Sequence, residues 1–281
     1  MPVDAEKLRK LGRYETKAPL QSLLDDLDQI GQIVASFEAH RRTIRRACLW
    51  CLLGFVLGLV AGAFGVDWMF GVAFVALALC IGLFIRQLRF ASNVIGNRKR
   101  GELLKNLLPS LQWDSHNRAS FAVNLSFRNS ASLLSESNWS GRRKGKEAIL
   151  RQYWLNIEGP LLDGTTFSEE VVELSRKRTY LNPRGKRKMK TRSRYQVTLR
   201  LLYPKQRYGD ARAAHAALRE PLRVPDVAKV SDVSVTEKSI AIKALVTQEK
   251  DIPQAAEMLC LGAYRILNLA RHAVARQRGA K

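Results

Sequence analysis

Cysteine and histidine are scarce in this chain, with four of each among 281 residues. Cys48, Cys51 and Cys80 lie in long apolar stretches and Cys260 lies in an apolar helical pattern, so a disulfide framework is not expected. The histidines are scattered and show no metal-ligand spacing. We therefore predict that the protein uses no metal and no other cofactor.

Residue patterns typical of catalytic sites are also lacking, and we predict no enzymatic activity. One acidic cluster stands apart, because carboxylates can hold a divalent ion for phosphodiester chemistry. We interpret this cluster as the acidic edge of a strand, and the sequence leaves metal binding open for its four members, Asp163, Glu169, Glu170 and Glu173.

Acidic residues are few compared with basic ones. The chain has 25 Asp and Glu against 47 Lys and Arg, which gives a formal net charge of +22. Such an excess favours an anionic partner, which would be nucleic acid, the inner leaflet of a membrane or an acidic protein.

Two long stretches of the chain contain no charged residue. Ala47 to Val66 and Trp68 to Ile85 are interrupted only by Asp67, and each is long enough as a helix to cross a bilayer. Arginines flank both outer ends of the pair, as is typical of cytoplasmic ends. We predict a two-span hairpin in a bacterial inner membrane with both termini cytoplasmic. The alternative is a pair of buried helices in a soluble protein.

Two patterns near the hairpin indicate self-association. Gly54, Gly58 and Gly62 recur every fourth residue, and small residues at this spacing let helix backbones approach closely, within one chain or between chains. Apolar residues from Leu20 to Ile44 alternate at spacings of three and four, as in a coiled coil. An amphipathic helix lying on its own domain would show the same pattern. We predict a homo-oligomer.

The order of these patterns divides the chain into five segments. The last is long enough for a sizeable core and reads as alternating strands with helices, so we predict an α+β domain with a largely antiparallel sheet. The segments are a loose polar tail at 1–18, an amphipathic or coiled-coil helix at 19–46, the hairpin at 47–85 with spans 47–66 and 68–85, a basic linker at 86–109 and the α+β domain at 110–281.

Local patterns also predict individual elements. A short helix from Glu102 is expected to end at Pro109, and the stretch from Ser130 to Gly145, rich in serine, glycine and charge, is expected to be a loop. Alternating apolar residues predict one strand through Tyr153, Leu155 and Ile157 and another from Tyr195 to Tyr203. Apolar residues from Leu259 to Val274 mark one face of a last helix.

Within that domain, 174–209 contains thirteen Lys and Arg and no Asp or Glu. Asn182, Pro183 and Gly185 are turn residues, which places the run at the tip of a hairpin. This basic arm would contact anionic lipid or nucleic acid, or it would be a solvated loop. The predicted binding residues are Arg176, Lys177, Arg178, Arg184, Lys186, Arg187, Lys188, Lys190, Arg192 and Arg194.

Together these patterns favour a membrane-anchored, non-catalytic binding or scaffold protein. Its basic domain is expected to engage an anionic partner, either inner-leaflet lipid or an acidic protein. The alternative is a membrane-tethered effector that binds or cleaves nucleic acid. No resemblance to a known family is specific enough to name.

Overall fold

The computed structural model divides the chain into two compact units. The first comprises Met1–Gly12 and Asp26–Arg98, and the second comprises Arg13–Asp25 and Lys99–Lys281. The structure describes residues 8, 12–63, 71, 74–75, 77–82, 85, 97–112, 114–116, 118–128, 131–139, 145–182, 184–216, 222, 224, 226 and 228–279.

A 44-residue helix, α1, spans Leu20–Ala63 and begins directly after Pro19. Proline is tolerated at the start of a helix because its ring fixes its own φ angle and its missing N–H is not needed there. One described helix is long and apolar enough to cross a membrane, at Leu20–Val60, with a mean hydropathy of 1.7 in its apolar window. The second predicted span, 68–85, lies partly outside the described residues. Those described within it are helical, at 71, 74–75, 77–82 and 85.

The second unit contains an eight-stranded sheet in which every neighbouring pair is antiparallel. The strands are β1 (Arg13–Pro19), β2 (Ser120–Ser126), β3 (Ser132–Trp139), β4 (Gly145–Pro160), β5 (Thr166–Leu181), β6 (Arg187–Leu202), β7 (Ala228–Val235) and β8 (Ser239–Val246). Their order in the sheet is β1-β2-β4-β5-β6-β8-β7, and β3 also pairs with β4. The predicted α+β class with an antiparallel sheet is therefore confirmed.

Helices cover one face of this sheet. The longest of them, α5 (Ile252–Gly279), contacts β6 and β8. Its Leu259, Ala263 and Ile266 are buried, as are Val197 and Ile242 of the sheet. Burial of one helix face against one sheet face removes apolar area from water and drives the packing. The other helices of the second unit are α2 (Arg98–Gln112), α3 (Lys205–Tyr208) and α4 (Ala211–Ala216), with a 3₁₀ turn at Glu249–Asp251.

Two segments that were expected to lack regular structure are strands. The predicted loose tail at 1–18 is wrong over its described end, where β1 pairs with β2. The predicted loop from Ser130 to Gly145 is wrong at 132–139, where β3 pairs with β4; 140–144 lies outside the described residues. Neither strand has the regular alternation of apolar and polar residues that predicts a half-buried strand. In β3, every described side chain is exposed.

The helix predicted to stop at Pro109 continues to Gln112. A proline this close to a helix end removes one backbone hydrogen bond and leaves few residues to disrupt. Leu104, Leu107, Leu108 and Leu111 are all buried, so the apolar face continues through the proline and its packing stabilises the last turn.

A bulge in β4 changes which side chains face the core. The pairing register shifts between Tyr153 and Leu155, and the extra residue, Trp154, is 1% exposed. Tyr153 was predicted to share a face with Leu155 and Ile157, but it is 51% exposed and lies on the other side of the sheet. The prediction failed because an inserted residue reverses the alternation on one side of the bulge.

Candidate anion-binding face of the β-arm

The outer halves of the long strands extend the sheet as a basic arm. We define the β-arm as β3 together with 145–151 of β4, 174–181 of β5 and 187–194 of β6. Strands β5 and β6 pair without a break from Thr166–Leu202 to Leu181–Arg187. Eight residues of strand extend about 26 Å. The predicted basic arm is therefore a four-stranded sheet extension, and its basic residues lie mainly on paired strands.

The turn at the tip follows the chemistry of its residues. Gly185 has a φ of 73°, a left-handed conformation that glycine adopts without steric cost. The Asn182 side-chain oxygen accepts hydrogen bonds from the backbone N–H groups of Arg184 at 3.1 Å and Lys186 at 2.8 Å. The turn prediction from Asn182 and Gly185 is confirmed, and the tip holds only two of the predicted basic residues.

The strand register sorts the basic side chains by face. Residues opposite each other in an antiparallel pair share a face, and so do alternate residues along a strand. Arg176 pairs with Arg192 and Arg178 pairs with Lys190. The register therefore brings seven basic residues onto one side, which we call the basic face: Arg151, Arg176, Arg178, Lys188, Lys190, Arg192 and Arg194.

Two predicted binding residues lie on the opposite side of the β-arm. Lys177 pairs with Thr191, and Arg187 pairs with Leu181. Lys146 of β4, which lies opposite Thr179, shares their side. Two others, Arg184 and Lys186, belong to the turn. The predicted set of ten is thus divided, with six on the basic face.

Sequence reasoning missed Arg151 because the bulge and the β3 pairing that define its face involve residues distant in the chain. Arg151 lies opposite Leu174 of β5, and its guanidinium carbon is 4.5 Å from the centroid of the Tyr153 ring. Tyr153 is 51% exposed, so an aromatic ring with a stacked arginine lies at the inner end of the basic face. Had the bulge been known, the alternation of side chains before it would have placed Arg151 and Tyr153 on the basic face.

One carboxylate lies among these cations. Glu147 accepts hydrogen bonds from Arg176 at 2.5 Å and from Arg178 at 2.7 Å. The hydrogen bond from Arg176, together with that from Arg178, holds the pKa of Glu147 below its usual value. Arg176 lies directly opposite Arg192, and Arg178 lies directly opposite Lys190. Like charges opposite each other are unfavourable in a sheet unless a counter-charge is present. An anionic partner would relieve this repulsion.

The base of the β-arm is fixed by a buried arginine from α2. Arg100 donates to Glu173 at 3.0 Å and to the Ser126 carbonyl at 3.0 Å, and its guanidinium lies 5.3 Å from the Trp154 ring centroid. Burial lowers the pKa of Arg100 from its usual value, while the charge of Glu173 opposes that change. This network holds the α2 helix against the strands from which the β-arm projects.

The four carboxylates of the predicted acidic cluster do not converge. Asp163 accepts from Thr165, Tyr208 and Tyr264, while Glu173 pairs with Arg100. Glu169 is buried on the helix-covered face, and Glu170, its neighbour in β5, faces the other way. Among the described residues no group of three or more His, Cys, Asp or Glu side chains is placed to hold a metal ion.

The predicted glycine face of α1 is only partly covered. Gly58 is buried, whereas a Cβ atom added at Gly54 would meet no described atom within 4 Å. Gly62 is helical. The coiled-coil pattern from Leu20 to Ile44 is covered to a greater extent. Its Leu23, Ile30 and Val34 are already buried within the single chain.

Comparisons with protein-family models, curated proteins and solved structures found no match to this chain.

Proposed function

We propose that this protein is a membrane-anchored binding protein whose basic face engages the headgroups of anionic lipid. The observation that carries the proposal is the convergence of seven cations, from β4, β5 and β6, on one side of an exposed sheet extension. Each basic residue near an anionic membrane surface contributes about 1 kcal/mol of binding free energy. A flat array of this kind presents many such charges to a surface at once.

The exposed apolar surface of the first unit supports membrane anchoring. Leu49 and Trp50 of α1 are 69% and 73% exposed, and Phe74 and Val75 are 66% and 61% exposed. Apolar side chains exposed in such number on a helix are suited to lipid rather than water. A hairpin of two spans, with both termini in the cytoplasm of a bacterial cell, is the arrangement we propose.

A contact between the two apolar stretches supports the hairpin. The Cys80 thiol lies 3.8 Å from the Cys48 carbonyl oxygen, 32 residues earlier in the chain. Cys48 is near the start of the first stretch and Cys80 is near the end of the second, which is the pairing an antiparallel hairpin requires. The open side of Gly54 is available for a second copy of the chain, and homo-oligomerisation is part of the proposal.

Nucleic acid is a second candidate partner, and Tyr153 is the observation that favours it. An exposed aromatic ring next to cations can stack on a base while the cations neutralise phosphates. The carboxylates that a nucleolytic effector would need are separated in the fold, so the candidate activity here is binding. An acidic protein would be attracted by the same charges.

The test compares the two faces of the β-arm at equal charge change. The full chain, held in nanodiscs of zwitterionic lipid, is mixed with vesicles containing anionic lipid and, separately, with a short RNA or DNA duplex. One variant replaces four basic-face residues with glutamine, namely Lys188, Lys190, Arg192 and Arg194. The control variant replaces four cations that lie off that face, namely Lys146, Lys177, Arg184 and Arg187.

We expect the basic-face variant to lose vesicle binding by roughly 1,000-fold, from about 4 kcal/mol of lost interaction, while the control loses much less. The variant Glu147→Gln should bind anionic vesicles more tightly, because it removes the one carboxylate that the described strands place on the basic face. Equal losses in the two four-residue variants would show that net charge alone acts. Tighter binding of the duplex than of the vesicles would favour the second candidate.

Topology is tested separately. A reporter that is active only after export should be silent when fused after Lys281 and active when inserted at Asp67, because arginines flank both outer ends of the hairpin. Activity of the fusion after Lys281 would mean that the chain crosses the membrane an odd number of times.

A further inference from the structure

A cavity of about 110 Å³ lies between α2, α5 and the helix-covered face of the sheet. Its walls are largely apolar and come from all three elements, with Leu107 and Leu111 from α2, Phe167 from β5 and Leu261 from α5. A water molecule occupies about 30 Å³ in the liquid, so this space has room for about four groups of that size. The cavity is far along the sheet from the basic face and belongs to the opposite side of β5.

The carboxyl group of Glu169 lines this cavity without a partner for one of its oxygens. Glu169 is 1% exposed, and its Oε1 atom makes no hydrogen bond within the described part of the chain. Its neighbours across the sheet are Ile157 and Leu199, which offer no polar group. A buried carboxyl group without a partner costs free energy, and a ligand that supplied one would recover it.

The charge of the lining is opposite to that of the chain as a whole. Three carboxyl groups line the cavity, from Asp114 after α2, Glu169 of β5 and Glu257 of α5, and its described lining contains no Lys, Arg or His. Ser110 of α2 and Cys260 of α5 also line the cavity. Burial raises the pKa of Cys260 to about 12, so its thiol stays neutral. In a chain with a net charge of +22, this cavity is a local site of negative potential.

We propose that the cavity binds a small aliphatic ammonium ion, with the alkyl group against the apolar walls and the charged nitrogen paired with Glu169. The size of the cavity suits a chain of about three carbons and one nitrogen. A carboxylate ligand would be repelled by the acidic lining, and a neutral alcohol would form no ion pair with it. This proposal is independent of the basic face and of its partner.

Binding of the cation is coupled to release of a proton. Burial raises the pKa of Glu169 to about 8, so at neutral pH the carboxyl group is mostly protonated until the ammonium ion replaces its proton. The affinity should therefore fall about tenfold for each pH unit below about 8 and level off above it. Asp114 and Glu257 face the same space and add attraction for the cation.

The experiment uses the full chain in detergent and n-propylammonium as the probe, with binding measured by titration calorimetry at pH 6 to 9 in buffers of different ionisation enthalpy. We expect saturable binding at pH 9, about 100-fold weaker binding at pH 6, and release of one proton at pH 6 to 7. n-Propanol and propionate should bind at least tenfold more weakly than n-propylammonium at pH 9.

Glu169→Gln should abolish binding, whereas Glu170→Gln should retain it because the side chain of Glu170 faces away from the cavity. The wild-type comparison of the three probes tests the proposal even if Glu169→Gln does not fold. Equal affinity for n-propanol and n-propylammonium, stronger binding of propionate, no binding at pH 9, or unchanged binding by folded Glu169→Gln would each overturn it.

Discussion

Replacing Glu169 with glutamine removes an ionisable group from the interior while keeping its shape, and the effect on stability should depend on pH. Burial raises the pKa of Glu169 from 4.5 to about 8. Between these two values the folded chain holds one proton more at this site than the unfolded chain. A raised pKa of this kind stabilises the folded state fully below pH 4.5, and that stability is lost as pH rises through about 8.

The size of the effect follows from the same shift. Each pKa unit corresponds to about 1.4 kcal/mol, so the wild type should lose roughly 5 kcal/mol relative to Glu169→Gln between acid and mildly alkaline pH. The glutamine side chain has no titratable group, so its own cost of burial is the same at every pH. The slope of the difference with pH therefore isolates the carboxyl group.

Hydrogen exchange of the β5 amides gives the opening free energy of the second unit without requiring the first unit to unfold. This opening free energy is measured for Glu169→Gln and wild type at pH 5, 7 and 9 without added amine. From pH 5 to pH 9, the opening free energy of the variant minus that of wild type should rise by more than 3 kcal/mol. Glu170→Gln, a partly exposed neighbour on the opposite face, is the matched control. A difference that stays constant from pH 5 to 9 would refute the assignment of a buried, protonated carboxyl group.

Two further substitutions test the packing that supports the sheet. Gly159→Ala should destabilise the second unit by about 1 to 3 kcal/mol in denaturant unfolding, because the new Cβ would overlap the Phe121 ring; a neutral effect would mean that the ring moves at no cost. Tyr264→Phe removes a 3.0 Å hydrogen bond to Asp163 and should cost about 1 to 3 kcal/mol at pH 7. Burial alone would raise the pKa of Asp163, but hydrogen bonds from Tyr208, Thr165 and Tyr264 lower it overall, so the cost should shrink as acid protonates the group. An equal cost at acidic and neutral pH would contradict this.

The sequence alone determined the features that depend on local pattern. Alternation from Tyr195 to Tyr203 predicted the inner part of β6, and the apolar face from Leu259 to Val274 predicted α5, because a half-buried strand and a one-sided helix each repeat with a characteristic period. The charge-free stretches and the thirteen-cation run were equally visible, since composition needs no knowledge of contacts. These features were sufficient for the α+β class and for the general location of the candidate site.

Only the tertiary structure decided which residues share a surface. Strand β3 has every described side chain exposed, so nothing in its own sequence marks it, and its position depends on pairing with β4. The bulge at Trp154 reverses the face of one half of β4 and brings Arg151 to the basic face, while Lys177 faces the other side. Glu169 and Glu170 are adjacent in the chain, yet alternation along β5 turns the first toward the helix-covered face, where it is buried, and leaves the second partly exposed.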